Sequence, residues 1–412
     1  MTDAQPPPSP EEPLSVQRPP QPQQRSPEPA APGPWRPAVV TAFSVWGAAS
    51  LAYFLVNLLV WMMRSEAGPQ VSGLIEVWNQ WDTGHYTTIA MSGYNPATEN
   101  TAFFPGYPLL IRLFEPVLPG GALSAGLIIS HVACIGALAV LYRLTDDLLG
   151  EAIARRTVYF LMAFPYAFFL VAAYNESLFL LLFVASLYCM RRGYWWSAGL
   201  LAACASATRQ AGVLLAIGFA IEYLRQRDWR LSRTRWNALA VLLVPGGMLA
   251  YMAYLWQAFG EPLKFVHVQS LWGRKATWPW EGTVRAFGVI ERASVDGYIF
   301  QPIVVLNVID ILAVVVTPVL IGLSLVGPWR LGRDSLFVIV TAGVSFLVVL
   351  ISPLGLDVPV HGVPRYALEA IPAFMVLARM GRNPHFERFY LVPAMAVQGV
   401  LVLAFYYDIW LT

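Results

Sequence analysis

Residues 37–63, PAVVTAFSVWGAASLAYFLVNLLVWMM, run for 27 positions without a charged side chain. A helix needs about 20 mostly apolar residues to cross the hydrocarbon core of a bilayer, so this stretch predicts a spanning helix and sets the fold class. The rest of the chain repeats the pattern. Of its 412 residues, 57% are hydrophobic and 13% are charged, about half the charged fraction of an ordinary soluble domain. An all-α polytopic membrane protein follows. The formal net charge is only +2, and the basic residues fall in short clusters between apolar runs, which argues against binding to nucleic acid.

Further apolar runs lie at 122–144, 156–173, 177–190, 237–258, 302–327, 335–353, 366–379 and 389–409. The stretch 193–224 is too long for one span and sits between arginine clusters at 191–192 and 225–235. If both clusters are cytoplasmic, the chain crosses an even number of times between them. Two short helices, 195–208 and 210–224, joined near Arg209 and Gln210, satisfy that condition. The expectation is about 11 membrane segments, including this short pair. They put Arg18, Arg25, Arg36, Arg143, Arg155, Arg156, Arg191, Arg192, the 225–235 cluster, Arg330, Arg333, Arg379, Arg382 and Arg388 on one face, which predicts a cytoplasmic N-terminus. The opposite face receives a large first extracytoplasmic loop at 64–121, the turn 174–176, the loop 259–301 and the segment 354–365.

The first 36 residues hold twelve prolines and read as a disordered cytoplasmic tail, leaving 37–412 as one membrane domain. The tail lacks the pattern of a signal peptide, so the first span is expected to remain as an anchor. Cys134, Cys189 and Cys204 fall in apolar segments and read as small hydrophobes. Arginine dominates the basic residues, with Lys264 and Lys275 the only lysines, and alanine is abundant. That bias points to a GC-rich bacterial genome and a bacterial plasma membrane.

The chemistry-bearing residues gather on the extracytoplasmic side. In WNQWDTGHYTTI (78–89), Asp82, His85 and Tyr86 share one helical face. Asp82 is the candidate catalytic base, placed to take the proton of an acceptor hydroxyl; its structural alternatives are a helix cap or a partner for Arg64 or Arg112. Trp81, Tyr86, Phe103, Phe104 and Tyr107 suit a sugar face or a prenyl chain, or else an interfacial aromatic belt. Arg209 and Arg365 suit a phosphate, since guanidinium is always charged and binds oxyanions bidentately. Their alternative is a buried ion pair with Glu176, which itself either binds substrate or orients Arg209. Gln210 completes the substrate-binding candidates, and Asp310, inside an apolar helix, has no assigned role. No GxxxxGK[ST], CxxC or HExxH pattern is present. No cofactor is expected, and no carboxylate and histidine set demands a metal.

Four motifs, WDTGHYTTIAMSGY, AFFPGYPLLIRL, FPYAFFLVAAYNESLF and ATRQAGVL, follow in order from Trp81 to Leu214, with a weaker echo from Arg365 to Phe374. Together they resemble the PIG-V family, the second mannosyltransferase of GPI-anchor synthesis, within the GT-C class of membrane glycosyltransferases. The resemblance implies inverting transfer of mannose from a polyprenyl (dolichyl-type) phosphate mannose donor to an extracytoplasmic hydroxyl. Asp82 matches the acidic residue of the family's first loop, while His85, Glu176 and Arg209 match positions tied to substrate. Thr83 and Gly106 occupy positions that the pattern leaves variable. With a bacterial source, the acceptor becomes an envelope glycan, a glycolipid or an exported protein. The competing class is a polytopic transporter or flippase of lipid-linked sugars, which expects charges near the midplane on broken helices. A third reading is a noncatalytic subunit. The gathering of polar groups at one membrane face favours an enzyme.

Overall fold

The computed structural model describes residues 33–64, 73–298, 300–355 and 358–409. Most of the expected Pro-rich tail therefore lies outside the described residues. The chain forms helices α1 (Arg36–Arg64), α2 (Asp82–Ser92), α3 (Gly106–Phe114), α4 (Gly121–Leu149), α5 (Glu151–Met162), α6 (Glu176–Arg191) and α7 (Trp195–Thr208). There follow α8 (Leu215–Arg225), α9 (Gly246–Phe259), α10 (Glu281–Val295), α11 (Pro302–Leu325), α12 (Leu336–Leu350), α13 (Ile371–Met380) and α14 (Pro384–Tyr406). Short 3-10 turns join several of them, and no strand occurs among the described residues. Helix α4 packs against α1, α5 and α6; α6 packs in turn on α7, and α13 lies between α5 and α11.

Among the described residues, five helices are long and apolar enough to cross a membrane: α1, α4, α11, α12 with its preceding turn, and α14. A sixth is completed if Trp236–Leu243 and α9, bent by 43°, count as one span. Together they make the chain an integral membrane protein. The expected runs 156–173, 177–190, 195–208, 210–224 and 366–379 instead yield α5, α6, α7, α8 and α13, of 12, 16, 14, 11 and 10 residues. Each falls short of a full crossing. The loop expected at 259–301 also contains α10, whose Ala286 and Gly282 are buried while Val284 and Phe287 are exposed.

The break after α5 has a local cause. Pro165 carries no N–H and disfavours helical backbone at Phe164, so the helix cannot continue although the apolar run does. Residues 166–174 stay buried without forming an α-helix, with a 3-10 turn at Ala167–Leu170. Their backbone groups find partners nearby, as burial in an apolar setting requires: Ala167 N–H donates to Phe164 O at 2.8 Å and Val171 N–H to Phe168 O at 3.0 Å. Gln398 of α14 donates from Nε2 to Met162 O at 3.0 Å and to Phe164 O at 2.7 Å, covering carbonyls freed by the break.

At the end of the bundle where α4, α6 and α8 finish and α12 starts, basic residues meet acids both near and far in sequence. Arg143 pairs with Asp146 and Asp147, and Arg192 reaches Asp147 at 2.5 Å. Arg225 reaches Glu222 at 2.6 Å and Asp334 at 3.0 Å. Gly106 allows α3 to approach the end of α7, since a Cβ there would lie 2.6 Å from Thr208 Cγ2 and 2.9 Å from Ala207 O. The position therefore has a packing reason to be small.

Replacing Gln398 by leucine should lower the melting temperature of the purified protein, because Met162 O and Phe164 O lose their donor at about 1–3 kcal/mol per unsatisfied group. An unchanged melting temperature for Q398L would contradict this account of the break.

Candidate active site

Helix α2 begins at Asp82, and the residue before it, Trp81, adopts φ 42°. A non-glycine residue in the left-handed region costs about 1–3 kcal/mol and persists only where its surroundings hold it. Trp81 is held edge-on against Phe405 of α14, at 5.2 Å between ring centroids. Thr83 Oγ1 donates to Trp78 O at 3.2 Å, and Tyr174 Oη donates to Gln80 O at 3.1 Å, tying the start of α2 to the irregular 166–174 segment. Asp82, His85 and Tyr86 all line one cavity of about 360 Å³, as one helical face predicts. The cavity is closed by Phe103 and Phe104, by Asn175, by Thr208 to Ala211, by Trp272 and Arg274, by Ser345 of α12, and by His361 and Arg365.

Within this wall and just behind it runs a chain of alternating charge. Arg365 Nη1 lies 2.7 Å from Asp82 Oδ2 and 3.4 Å from Glu176 Oε1. The same Glu176 oxygen accepts from Arg209 Nη2 at 3.0 Å, and Arg209 Nη1 donates to Glu369. The five side chains come from the start of α2, the start of α6, the end of α7 and the segment 363–369, none of them within a spanning helix. Arg209 also stacks over the Tyr366 ring at 4.2 Å. Burial opposes the charge on Arg209, but Glu369 and then Glu176 more than offset it, so its pKa is raised. Burial likewise opposes Arg365, where Asp82 and then Glu176 prevail. Three carboxylates face two guanidiniums, and burial pushes the enclosed Glu369 carboxyl up to about 7 against the pull of Arg209. Burial, followed by the charges of Glu176 and Asp82, pushes the Tyr86 phenol well above its usual range, so it remains a hydrogen-bond donor.

The sequence candidates separate into those that face the cavity and those that support it. Trp81, Asp82, His85, Tyr86, Arg209, Gln210 and Arg365 line it. The His85 ring lies stacked on Phe103, 4.5 Å between centroids. Tyr107 does not fit the substrate-binding expectation. It is fully buried, and its hydroxyl donates to Gly126 O at 2.8 Å and bonds Ser130 at 2.8 Å, fixing α3 on α4. Glu176 is 2% exposed and bridges the two arginines, the arrangement that an orienting residue would have. Asp82 finds its partner in Arg365 rather than in Arg112, and the side chain of Arg64 lies outside the described residues. Phe104 packs inward on Tyr251 and Phe265 rather than forming an outward belt.

Sequence reading missed Glu369, Arg274 and the role of Asp310. Tyr166 donates to Asp310, and His361 Nδ1 lies 2.8 Å from its other oxygen, so Asp310 anchors the turn that leads to Arg365. An acid within an apolar run is expensive and marks function or pairing by default; that signal was available for Glu369 as well as for Asp310.

Raised by burial, Glu369 contributes stability that is fully present below its unfolded pKa near 4.5 and is lost as pH rises through about 7. Thermal melting between pH 5 and 8 should show this loss, and Glu369→Gln should flatten it; a parallel pH dependence in E369Q would contradict the assignment. Tyr107→Phe should lower the melting temperature, at about 1 kcal/mol for a buried hydrogen bond, and leave the affinity for cavity ligands unchanged.

Comparison with known proteins bears on this arrangement. A stretch of 160 residues is 35% identical to GPI alpha-1,6-mannosyltransferase 2 of Cricetulus griseus, covering 36% of this chain and 32% of the relative. The human protein of the same name is 32% identical over 159 residues with the same coverage. The matched stretch thus spans about a third of the length of these curated relatives. Among solved structures, apo ArnT from Cupriavidus metallidurans superposes with a TM-score of 0.50 at 15% identity, covering 89% of this chain and 76% of that one. The likeness extends the GT-C-type fold over nearly the whole chain. The family model described as Mannosyltransferase (PIG-V) matches residues 49–266, more than half of the sequence and all of the first four motifs. The chain belongs to the PIG-V mannosyltransferase family.

Proposed function

We propose that this protein transfers mannose from a polyprenyl phosphate mannose to a hydroxyl of a lipid, glycan or protein acceptor on the extracytoplasmic side of a membrane. The observation that carries this reading is the placement of Asp82 beside the Arg365 guanidinium in one cavity wall, within the stretch that the family model matches. The basic residues at the ends of α6 and α8, on the face that the sequence makes cytoplasmic, support an orientation with the cavity outside. The arginine bias supports a bacterial plasma membrane as the setting.

A single displacement fits the groups present. The acceptor oxygen attacks the anomeric carbon opposite the phosphate while the Asp82 carboxylate takes the hydroxyl proton. The bond from that carbon to the phosphate oxygen breaks, and its electron pair leaves with the lipid phosphate. The transition state has oxocarbenium character, as glycosyl transfers generally do. Positive charge fixed in the cavity wall stabilises the departing phosphate without reorganising at the moment of reaction. A phosphodiester is already a competent leaving group, so no second carboxylic acid is required. His85 on its Phe103 platform and the protonated Tyr86 hydroxyl are placed to meet sugar hydroxyls.

In membranes supplied with labelled polyprenyl phosphate mannose, Asp82→Asn should reduce transfer by about 10²- to 10⁴-fold, the range for loss of a general base, while donor binding persists. Transfer by D82N at the wild-type rate would reject Asp82 as the base.

A further inference from the structure

Three guanidiniums reach the cavity, from Arg209, Arg365 and Arg274, and they are not equivalent. Arg209 is bound by Glu176 and Glu369, and Arg365 by Asp82 and Glu176. With three carboxylates around two guanidiniums, that group offers little net positive charge to an anionic ligand. Arg274 differs. Its Nη1 donates to the neutral Ser352 carbonyl at 2.9 Å, and among the described residues it forms no ion pair with a carboxylate; its Nε, like that of Arg365, is buried without a hydrogen-bond partner.

The backbone that carries Arg274 is fixed in place. Gly355 N–H donates to Trp272 O at 3.1 Å, and Thr277 N–H donates to Ile351 O at 2.9 Å, so residues 272–277 are clasped to the end of α12. Between these bonds Gly273, at φ +66°, lies flat on Gly355; a Cβ at 273 would sit 2.8 Å from Gly355 Cα. Both the left-handed backbone and the close approach require glycine there. Trp272 of this segment and Gln269, in the 3-10 turn just before it, also line the cavity.

We infer that Arg274 is the principal contact for the phosphate of the lipid-linked donor, with Arg209 and Arg365 shaping the wall behind it. This rests on the donor class proposed above. A guanidinium without a carboxylate partner among the described residues, half-buried and held on a clasped segment, is suited to an oxyanion that it can grip with two N–H groups. It also suits the charge change in the reaction. The donor phosphodiester carries one negative charge; once the sugar leaves, the phosphate is a monoester that carries up to two. The added charge falls on the oxygen that departs, and an unneutralised cation stabilises it best.

Equilibrium binding of a polyprenyl monophosphate to the full chain in lipid nanodiscs tests this without requiring turnover. Arg274→Gln should weaken binding by about tenfold to a hundredfold, the loss expected for charge-assisted hydrogen bonds. Arg274→Lys should fall between the two, because it keeps the charge and loses the fork, and Lys275→Gln, an exposed neighbour, should bind like wild type. Equal melting temperatures across the set establish that the variants fold. Binding by R274Q at wild-type strength would overturn the assignment of Arg274 and leave the donor class standing. A wild-type protein that binds no polyprenyl phosphate would overturn the donor class and this inference with it. Inorganic phosphate that displaces the lipid at equal concentration would assign the site to the free anion and overturn the lipid source.

Discussion

The ion pairs of Arg365 with Asp82 and Glu176 organise the rest of the site. Asp82 starts α2, Glu176 starts α6, and Arg365 comes from the segment before α13, nearly 300 residues from Asp82 in sequence. A charge taken out of water is tolerated only with good partners, and removing one partner leaves the other uncompensated at about 3–5 kcal/mol. These contacts therefore fix where three separate elements end relative to one another. Arg209 and Glu369 extend the same logic to α7 and to the turn leading into α13. The carboxylate assigned as base is thus placed by electrostatics, and its supporting residues are held as tightly as it is.

Helix breaks make this possible in a bundle of apolar helices. Continuous helices would satisfy their own backbone and present only side chains to the core. Where α5 stops before Pro165, where α7 gives way to a 3-10 turn at Gln210, and where the short turns Val363–Tyr366 and Ala367–Glu369 precede α13, polar side chains arrive at element ends. The freed backbone groups then need partners, which Gln398 and short local hydrogen bonds supply. The cost of irregular backbone in an apolar interior is met by side chains from other helices.

Much of this was legible from sequence, and the failures have physical reasons. Long apolar runs gave α1 and α11 to within two residues and α4 and α14 to within five, because hydropathy reports directly on lipid exposure. The run 156–173 misled because 166–174 is as apolar as a helix yet buried as irregular chain, a difference carried by Pro165 alone. The face shared by Asp82, His85 and Tyr86 was readable because helical periodicity is local. Tyr107 looked like a site aromatic since burial against α4 and exposure to a sugar demand the same residue type. Arg274 and the pairing of Asp82 with Arg365 were not readable: they depend on contacts between segments far apart in the chain, and a lone arginine in a long loop carries no motif.

The central claim is a single displacement at the anomeric carbon, with Asp82 as base and the lipid phosphate leaving from the opposite face. The anomeric configuration of the mannose in the product, compared by NMR with that in the donor, tests it most directly. One displacement predicts inversion. Retention would require a covalent sugar–enzyme intermediate or attack from the leaving-group face, and would contradict the account.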